Sequence, residues 1–274
     1  MKARVELGGR ELGIDLASAV SVAVTLDFGG TQPRHFGAPR ASSQPFEAPG
    51  FSGSVERGAS CNCEQITLIP HCNGTHTECV GHLTREPLDA HRVVPAGLLP
   101  ALLVSVAPEA APAAGEDSEP LPQPGDRLIT RRALEHAWRS GTPFEPLSLL
   151  IRTLPNTRDK LTRDYSAVTP PYLTRQAAQL LVQRGIRHLI VDAPSIDRAR
   201  DEGRLTAHRV FFGLPPRSVA LAEASRRDAT ITELAFMPDE LADGPYLLEL
   251  QVPALGGDAV PSRPLLYRLA ERAS

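Results

Sequence analysis

Twenty-six prolines and 21 glycines are spread through 274 residues, and they divide the chain into pieces too short for long helices. Between them lie compact apolar runs rich in Val, Ile or Leu, at 12–16, 20–26, 65–69, 102–106, 147–152, 187–192, 231–236 and 246–252. Short runs of this composition, bounded by Gly or Pro, read as strands. A helical pattern is clear at 175–184, where Thr174 can cap the first turn and Gly185 can take the left-handed conformation just past the end. A second, shorter candidate follows Thr130, at 131–138. The pattern predicts a strand-dominated α/β fold with many turns.

At roughly 100–200 residues per domain, this length allows one large domain or two small ones. The stretch 108–125 holds five prolines, lacks periodicity and has little to bury, so it reads as a surface loop or flexible insertion. We expect a single domain over 1–274, because the strands beside that loop are short and no second complete core follows it. Hydrophobic residues at 42% and charged residues at 22% exclude collagen-like, coiled-coil and wholly disordered chains. A net charge of −3 with no dense Lys or Arg stripe speaks against nucleic acid or an anionic membrane, and favours a small-molecule substrate. The longest apolar stretch, 93–107, is broken by Pro95 and Pro100 and falls short of the ~20 residues of a membrane helix. Glu6, Arg10, Glu11 and Asp15 interrupt the region where a signal peptide keeps its apolar block, so a cytoplasmic protein is expected.

Chemistry concentrates in one window. Cys61, Cys63, Cys72 and Cys79 fall close together, and in a long chain without a signal such thiols are expected to be reduced and to serve metal binding or packing. No Cys-x-x-Cys pair supports a zinc ribbon or a thioredoxin-type motif. Three of the eight histidines, His71, His76 and His82, lie with Glu78, Cys72 and Cys79 between residues 71 and 82. Imidazole, thiolate and carboxylate are ligands for zinc and similar ions, and Gly74 and Gly81 permit the tight turns that aim several of them at one point. A lone histidine is more often a hydrogen-bonded structural residue, but three beside a carboxylate and two thiols favour a metal. Cys72 and Cys79 taken alone read as small buried hydrophobes. His76 and Glu78, two apart, face the same side wherever the chain is extended.

This window resembles the signature of the cyclase-type metal-dependent hydrolases, which include bacterial kynurenine formamidase and isatin hydrolase and carry approximately His-x-Gly-Thr-His-x-Asp-x-x-x-His. Gly74-Thr75-His76, the acid Glu78 and His82 stand at that spacing. Further segments resemble the family in order: Gly13-Ile14-Asp15-Leu16, Ile151-Arg152-Thr153, the turn Asp192-Ala193-Pro194-Ser195-Ile196-Asp197, Ala207-His208-Arg209 and Ile231-Thr232-Glu233-Leu234. Two departures stand out. The first family histidine would fall at Cys72, so either Cys72 replaces that ligand or a small bulge brings in His71. Glu78 replaces the usual Asp. A further oddity is the long spacing from His208 to Glu233, with 214–230 as the inserted stretch.

The resemblance implies an α/β fold of the swivelling β/β/α type, with a mixed, partly closed sheet and flanking helices, assembled as a homodimer or homotetramer. It implies one or two divalent ions, zinc first and manganese second, held by His71 or Cys72, His76, Glu78, His208 and Glu233. His82 would then act as general base or acid, since imidazole exchanges protons near neutral pH. Asp192, Ser195 and Asp197 read as turn residues, and Arg152 as either a carboxylate partner or a site residue. Phe211 and Phe212, close to His208, are candidate substrate contacts. The expected activity is hydrolysis of a C–N bond in a small, aryl or cyclic amide by metal-activated water, as in an arylformamidase. The alternatives are a lyase or cyclase using the same metal, and a non-catalytic metal- or small-molecule-binding protein on the same fold.

Overall fold

An eleven-stranded mixed sheet organises the protein, seen in a computed structural model that describes residues 1–111, 114–138 and 142–270. Its strands are β1 (Lys2–Leu7), β2 (Arg10–Asp15), β3 (Val20–Ser21), β4 (His76–Cys79), β5 (Leu98–Val106), β6 (Ser148–Thr153), β7 (His188–Val191), β8 (Thr230–Glu233), β9 (Gly244–Gln251), β10 (Ala259–Pro261) and β11 (Arg263–Ala270). The spatial order is β1-β2-β11-β9-β5-β6-β7-β8-β4-β10, with β3 paired to β11. The centre, β5-β6-β7-β8, is parallel. The flanks are antiparallel, including β4 between β8 and β10. Among the described residues there are four α-helices, α1 (Ala90–Val93), α2 (Arg131–Ala137), α3 (Arg175–Gln183) and α4 (Thr206–Phe212).

The unbroken apolar runs of the sequence are explained by burial on both faces of the central strands. Leu102, Val104, Leu149, Ile151, Leu189, Val191 and Ile231 face α3 and α4 in the larger core. The alternate residues Leu99, Leu103, Leu150 and Ile190 face a second core with Tyr246, Leu248 and Leu266. The helix signals act as the residues dictate. Thr174 Oγ1 accepts from Ala177 N at 3.0 Å, Thr130 Oγ1 accepts from Ala133 N at 3.0 Å, and Gly185 takes φ +74° behind α3.

Several expectations are corrected. Only Val20–Ser21 of the run 20–26 is strand, because Val24 N turns away to donate to Thr75 Oγ1 at 2.8 Å. The strand expected at 65–69 is Glu64–Thr67; it is exposed throughout and pairs with Ser42–Pro45 in a ribbon outside the main sheet. The stretch 93–107 supplies β5, and among the described residues no helix is long and apolar enough to cross a membrane. The proline-rich segment 108–125 is anchored where it is described, with 112 and 113 outside the described residues. Glu109–Ala110 joins a three-stranded sheet, and Glu116 accepts from Arg131 N at 2.8 Å and Thr174 Oγ1 at 2.6 Å, tying the starts of α2 and α3 together.

Candidate metal centre

The window at 71–82 holds the buried strand β4. The pleat sends His76 and Glu78 to one side, and pairing places His76 opposite Glu233 on β8 and opposite Pro261 on β10. Ahead of β4, Cys72 N and Asn73 N both donate to Ile69 O at 2.9 Å, a turn closed by Ile69 N donating to Asn73 Oδ1 at 2.8 Å. Gly74 follows at φ +76°, and a Cβ there would lie 2.9 Å from Leu26 Cδ2, so both backbone conformation and space call for glycine. This turn carries His71 to the cluster, with Nδ1 3.0 Å from Glu78 Oε2 and Nε2 2.8 Å from Asp258 Oδ2.

Glu233 and His208 arrive from the far end of the chain. Thr75 Oγ1 donates to Leu234 O at 2.6 Å, and Leu234 sits at φ +53°, a strained conformation for a non-glycine residue beside a site carboxylate. Glu233 Oε1 accepts from Ile196 N at 2.8 Å, which aims the carboxylate inward. His208 lies in the first turn of α4, whose start has no capping side chain of its own. Asp197 takes that role from a distance: its oxygens accept Ala207 N at 2.7 Å and His208 N at 3.0 Å, and His208 Nδ1 donates to Oδ2 at 2.6 Å. That last bond leaves Nε2 as the outward atom, 2.8 Å from Glu78 Oε1 and 3.6 Å from Glu233 Oε1.

The residues present fit a cation. His76 Nδ1 donates to Gly74 O at 3.1 Å, so Nε2 carries the lone pair, and it is buried with no hydrogen-bond partner, 3.5 Å from Glu233 Oε2. Both Glu78 oxygens are buried too, and despite the nearness of His71 and His208 neither contact has the angle of a hydrogen bond. Nitrogen and oxygen lone pairs that converge without pairing suit a shared divalent ion. Among the described residues, three sets of ligand atoms lie within 4.8 Å of one another: His71, His76 and Glu78; His71, His82 and Asp258; and Glu78, His208 and Glu233.

Charge is strongly coupled across this cluster. Burial alone would raise the Glu78 carboxyl, but the imidazoles of His208, His82 and His71 outweigh it and hold it well below the usual carboxylate range. Burial would lower His208, yet Glu78 and Asp197 hold it well above its ordinary value. His71, opposed by burial in the same way, is raised to about 10 by its hydrogen bond to Asp258 and by the adjacent Glu78 carboxylate. Asp258 is held below the carboxylate range chiefly by those bonds from His71 and His82.

His76, Glu78, His208 and Glu233 are thus brought together, with His71 from the turn. Cys72 is buried and belongs to none of the three sets, and burial raises its thiol. Cys79 is a core thiol whose S–H donates to Leu88 O at 3.1 Å and which burial pushes up to about 12. His82 stands at the partly exposed rim, its ring 4.2 Å from His71 and 5.9 Å from His208, with Nδ1 3.2 Å from Asp258 Oδ2. Phe211 and Phe212 are fully buried in the larger core, the Phe212 ring 6.3 Å from that of His208. Arg152 is taken up by Asp243 at 2.9 Å and by the carbonyls of Pro238 and Leu241. Asp192 forms a buried pair with Lys160 at 2.8 Å, and Ser195 Oγ accepts from Asp197 N at 3.2 Å. Sequence reasoning missed Asp258, which has no local signal: it reaches the site only because β10 pairs with β4 and Asp258 O accepts Cys79 N at 3.0 Å.

Similarity to known proteins includes the segment that carries His71, His76, Glu78 and His82. Residues 14–198 match the family model described as "Putative cyclase". No curated protein matches the chain by sequence. A structure of a predicted metal-dependent hydrolase from Bacillus stearothermophilus is 17% identical, with TM-score 0.56, covering 91% of this chain and 98% of that one. Isatin hydrolase A from Labrenzia aggregata, bound to benzyl benzoate, is 18% identical, with TM-score 0.58 and coverage of 92% and 95%. A potential metal-dependent hydrolase with cyclase activity is 18% identical, with TM-score 0.59 and coverage of 94% and 99%. At these identities the likeness establishes a common fold. Because the family model spans residues 14–198 of 274, the chain belongs to the cyclase family.

Proposed function

We propose that this protein is a metal-dependent hydrolase that cleaves a C–N bond of a small amide, aryl or cyclic, in the manner of an arylformamidase. The observation that carries this reading is the set of unpaired, buried lone pairs on His76 Nε2 and both Glu78 oxygens, facing Glu233 and His208. His76, Glu78, His208 and Glu233 would hold the ion, with His71 on the Glu78 side. The donors are imidazoles and carboxylates, which suit zinc, and manganese where the carboxylates dominate. When bound, such an ion polarises a carbonyl as a Lewis acid and lowers the pKa of water from 15.7 to roughly 7.

The protein's own residues supply positioning and proton transfer. Asp197 fixes the His208 tautomer, and Gly74 O fixes that of His76, so both present Nε2 inward. Asp258, kept ionised by His71 and His82, orients the His82 ring at the partly exposed rim. From there His82 can take a proton from water and return it to the departing amine, which must leave protonated. The deciding experiment combines metal analysis with hydrolysis of formanilide and phthalimide in oxygen-18 water. Label in the acid product and its loss in Glu78→Gln are expected. A metal-loaded protein that turns over neither amide refutes the reading, and unlabelled product points instead to a lyase or cyclase.

A further inference from the structure

Behind α4 lies a cavity of about 570 Å³. Thr206, Arg209, Val210 and Gly213 line it, at the spacing i, i+3, i+4 and i+7 of one helical face. His208 falls on the opposite face, toward Glu78, so the helix separates this cavity from the candidate metal centre. Two turns form other walls. Asp201 pins the first, its Oδ1 accepting Gly203 N at 2.9 Å and its Oδ2 accepting Leu205 N at 2.6 Å. The second follows α4, where Arg209 Nη1 donates to Pro215 O at 3.1 Å and to Ser218 O at 2.7 Å. Both turns hold non-glycine residues in the left-handed region, Glu202 at φ +57° and Leu205 at φ +47° in the first and Arg217 at φ +64° in the second.

Four arginines line this space, Arg175, Arg204, Arg209 and Arg217, against two carboxylates, Glu119 and Glu202. Glu119 is shared, 3.7 Å from Arg175 and 3.8 Å from Arg204, too far to accept a hydrogen bond from either. Among the described residues, the guanidinium groups of Arg204 and Arg217 donate no hydrogen bond, and no carboxylate forms an ion pair with Arg209 or Arg217. Arg209 is half-buried, and burial lowers it from its ordinary value. Cations gathered around one space repel one another unless an anion stands between them. Val210, Leu214, Pro215 and Pro216 give the same space an apolar wall.

We propose that this cavity binds a small organic carboxylate, its charged end held by Arg204 and Arg217 and its apolar body laid against Val210, Leu214 and Pro215. A guanidinium fork meets a carboxylate with two parallel N–H···O bonds, which an ammonium or a neutral amide does not match. The Arg204 side chain is 34% exposed and Arg217 is exposed, so both are within reach of a ligand arriving from solvent. The volume suits a ligand of one ring or a short chain. An inorganic anion would answer the charge and leave the apolar wall unused. The site lies apart from the candidate metal centre, and its occupancy does not depend on the reaction carried out there.

The test is ligand-observed nuclear magnetic resonance on the full chain loaded with zinc, with benzoate, benzamide and inorganic phosphate as probes. Benzoate is expected to bind in the millimolar range, and benzamide, of the same shape without the charge, roughly tenfold more weakly. Phosphate should displace benzoate only at several times its concentration. Arg204→Gln and Arg217→Gln should each raise the benzoate dissociation constant roughly three- to tenfold. Arg57→Gln, which removes an arginine paired with Glu47 outside the cavity, should leave it unchanged. Benzoate can also reach a zinc ion, so the titration is repeated with chelator. Binding that disappears there and is indifferent to Arg204 and Arg217 belongs to the metal centre and overturns the proposal. It is overturned equally if benzoate does not bind, if both arginine variants bind it as tightly as the parent, or if benzamide or phosphate binds as tightly as benzoate. Should one arginine variant not fold, the other decides the matter.

Discussion

Asp197→Asn is the substitution that most directly probes how the fold builds the candidate metal centre. One Asp197 oxygen accepts Ala207 N, and the other accepts both His208 N and His208 Nδ1. An amide can keep its oxygen toward His208 only by turning its NH2 onto the Ala207 N–H, so one helix-end donor loses its partner. Loss of such a cap destabilises by about 1 kcal/mol. Holding a ligating histidine in the right tautomer is worth roughly 10–100-fold in metal affinity. At free zinc equal to 100 times the parent Kd, binding stabilises the parent by about 2.7 kcal/mol; a roughly 30-fold weaker variant gains only about 0.9 kcal/mol at the same concentration. The expected pattern is therefore a small loss of stability without metal and a much larger one with it. Chelator competition gives Kd, and urea unfolding with and without zinc gives the two stabilities. Thr174→Ala is the control: it removes the cap of α3, away from the cluster, and should lower both stabilities alike by about 1 kcal/mol while leaving Kd unchanged. If Asp197→Asn holds zinc within threefold of the parent while folded, the idea that Asp197 positions a ligand is wrong.

Two further expectations follow from titrating groups. His71, raised to about 10 without metal, and His208, also raised, must both lose protons to ligate, so zinc affinity should climb with pH by about one log unit per unit for each proton displaced. A Kd constant from pH 6 to 8.5 would contradict that linkage. His188 is buried with Nδ1 2.9 Å from Thr230 Oγ1, and burial lowers it from 6.5 to about 4. The unfolded chain takes up that proton first, so its contribution is complete above pH 6.5 and declines by about 3 kcal/mol as pH falls toward 4. Stability curves of His188→Asn should be flatter than the parent's across that window, and parallel curves would exclude His188 as a source of the slope.

The central strands were legible from sequence because residues buried on both faces must be apolar at every position, as in Leu149-Leu150-Ile151 and Leu189-Ile190-Val191. The caps Thr130 and Thr174 were legible for a local reason, a hydroxyl three residues from the amide it accepts. Strand β4 was hidden, since His76-Thr77-Glu78-Cys79 is polar by composition, yet the neighbouring strands bury it, with Thr77 Oγ1 2.8 Å from Thr232 Oγ1 on one side and His76 and Glu78 at the candidate metal centre on the other. The exposed ribbon at Glu64–Thr67 misled in the opposite way, with Ile66 apolar yet 54% exposed.

What the sequence determined by itself was the chemistry on offer: imidazoles and a carboxylate at alternate positions in one window, with glycine where the backbone must turn tightly. Which of them meet was decided by tertiary structure. Antiparallel pairing of β4 with β8 and β10 delivers Glu233 and Asp258, and the Asp197 carboxylate at the start of α4 delivers His208. The turn at Ile69–Asn73 selects His71 over Cys72. Local sequence encodes side-chain type and backbone bias over a few residues, whereas convergence of ligand atoms to within 4.8 Å depends on strand register between segments more than a hundred residues apart, which only the packed sheet sets.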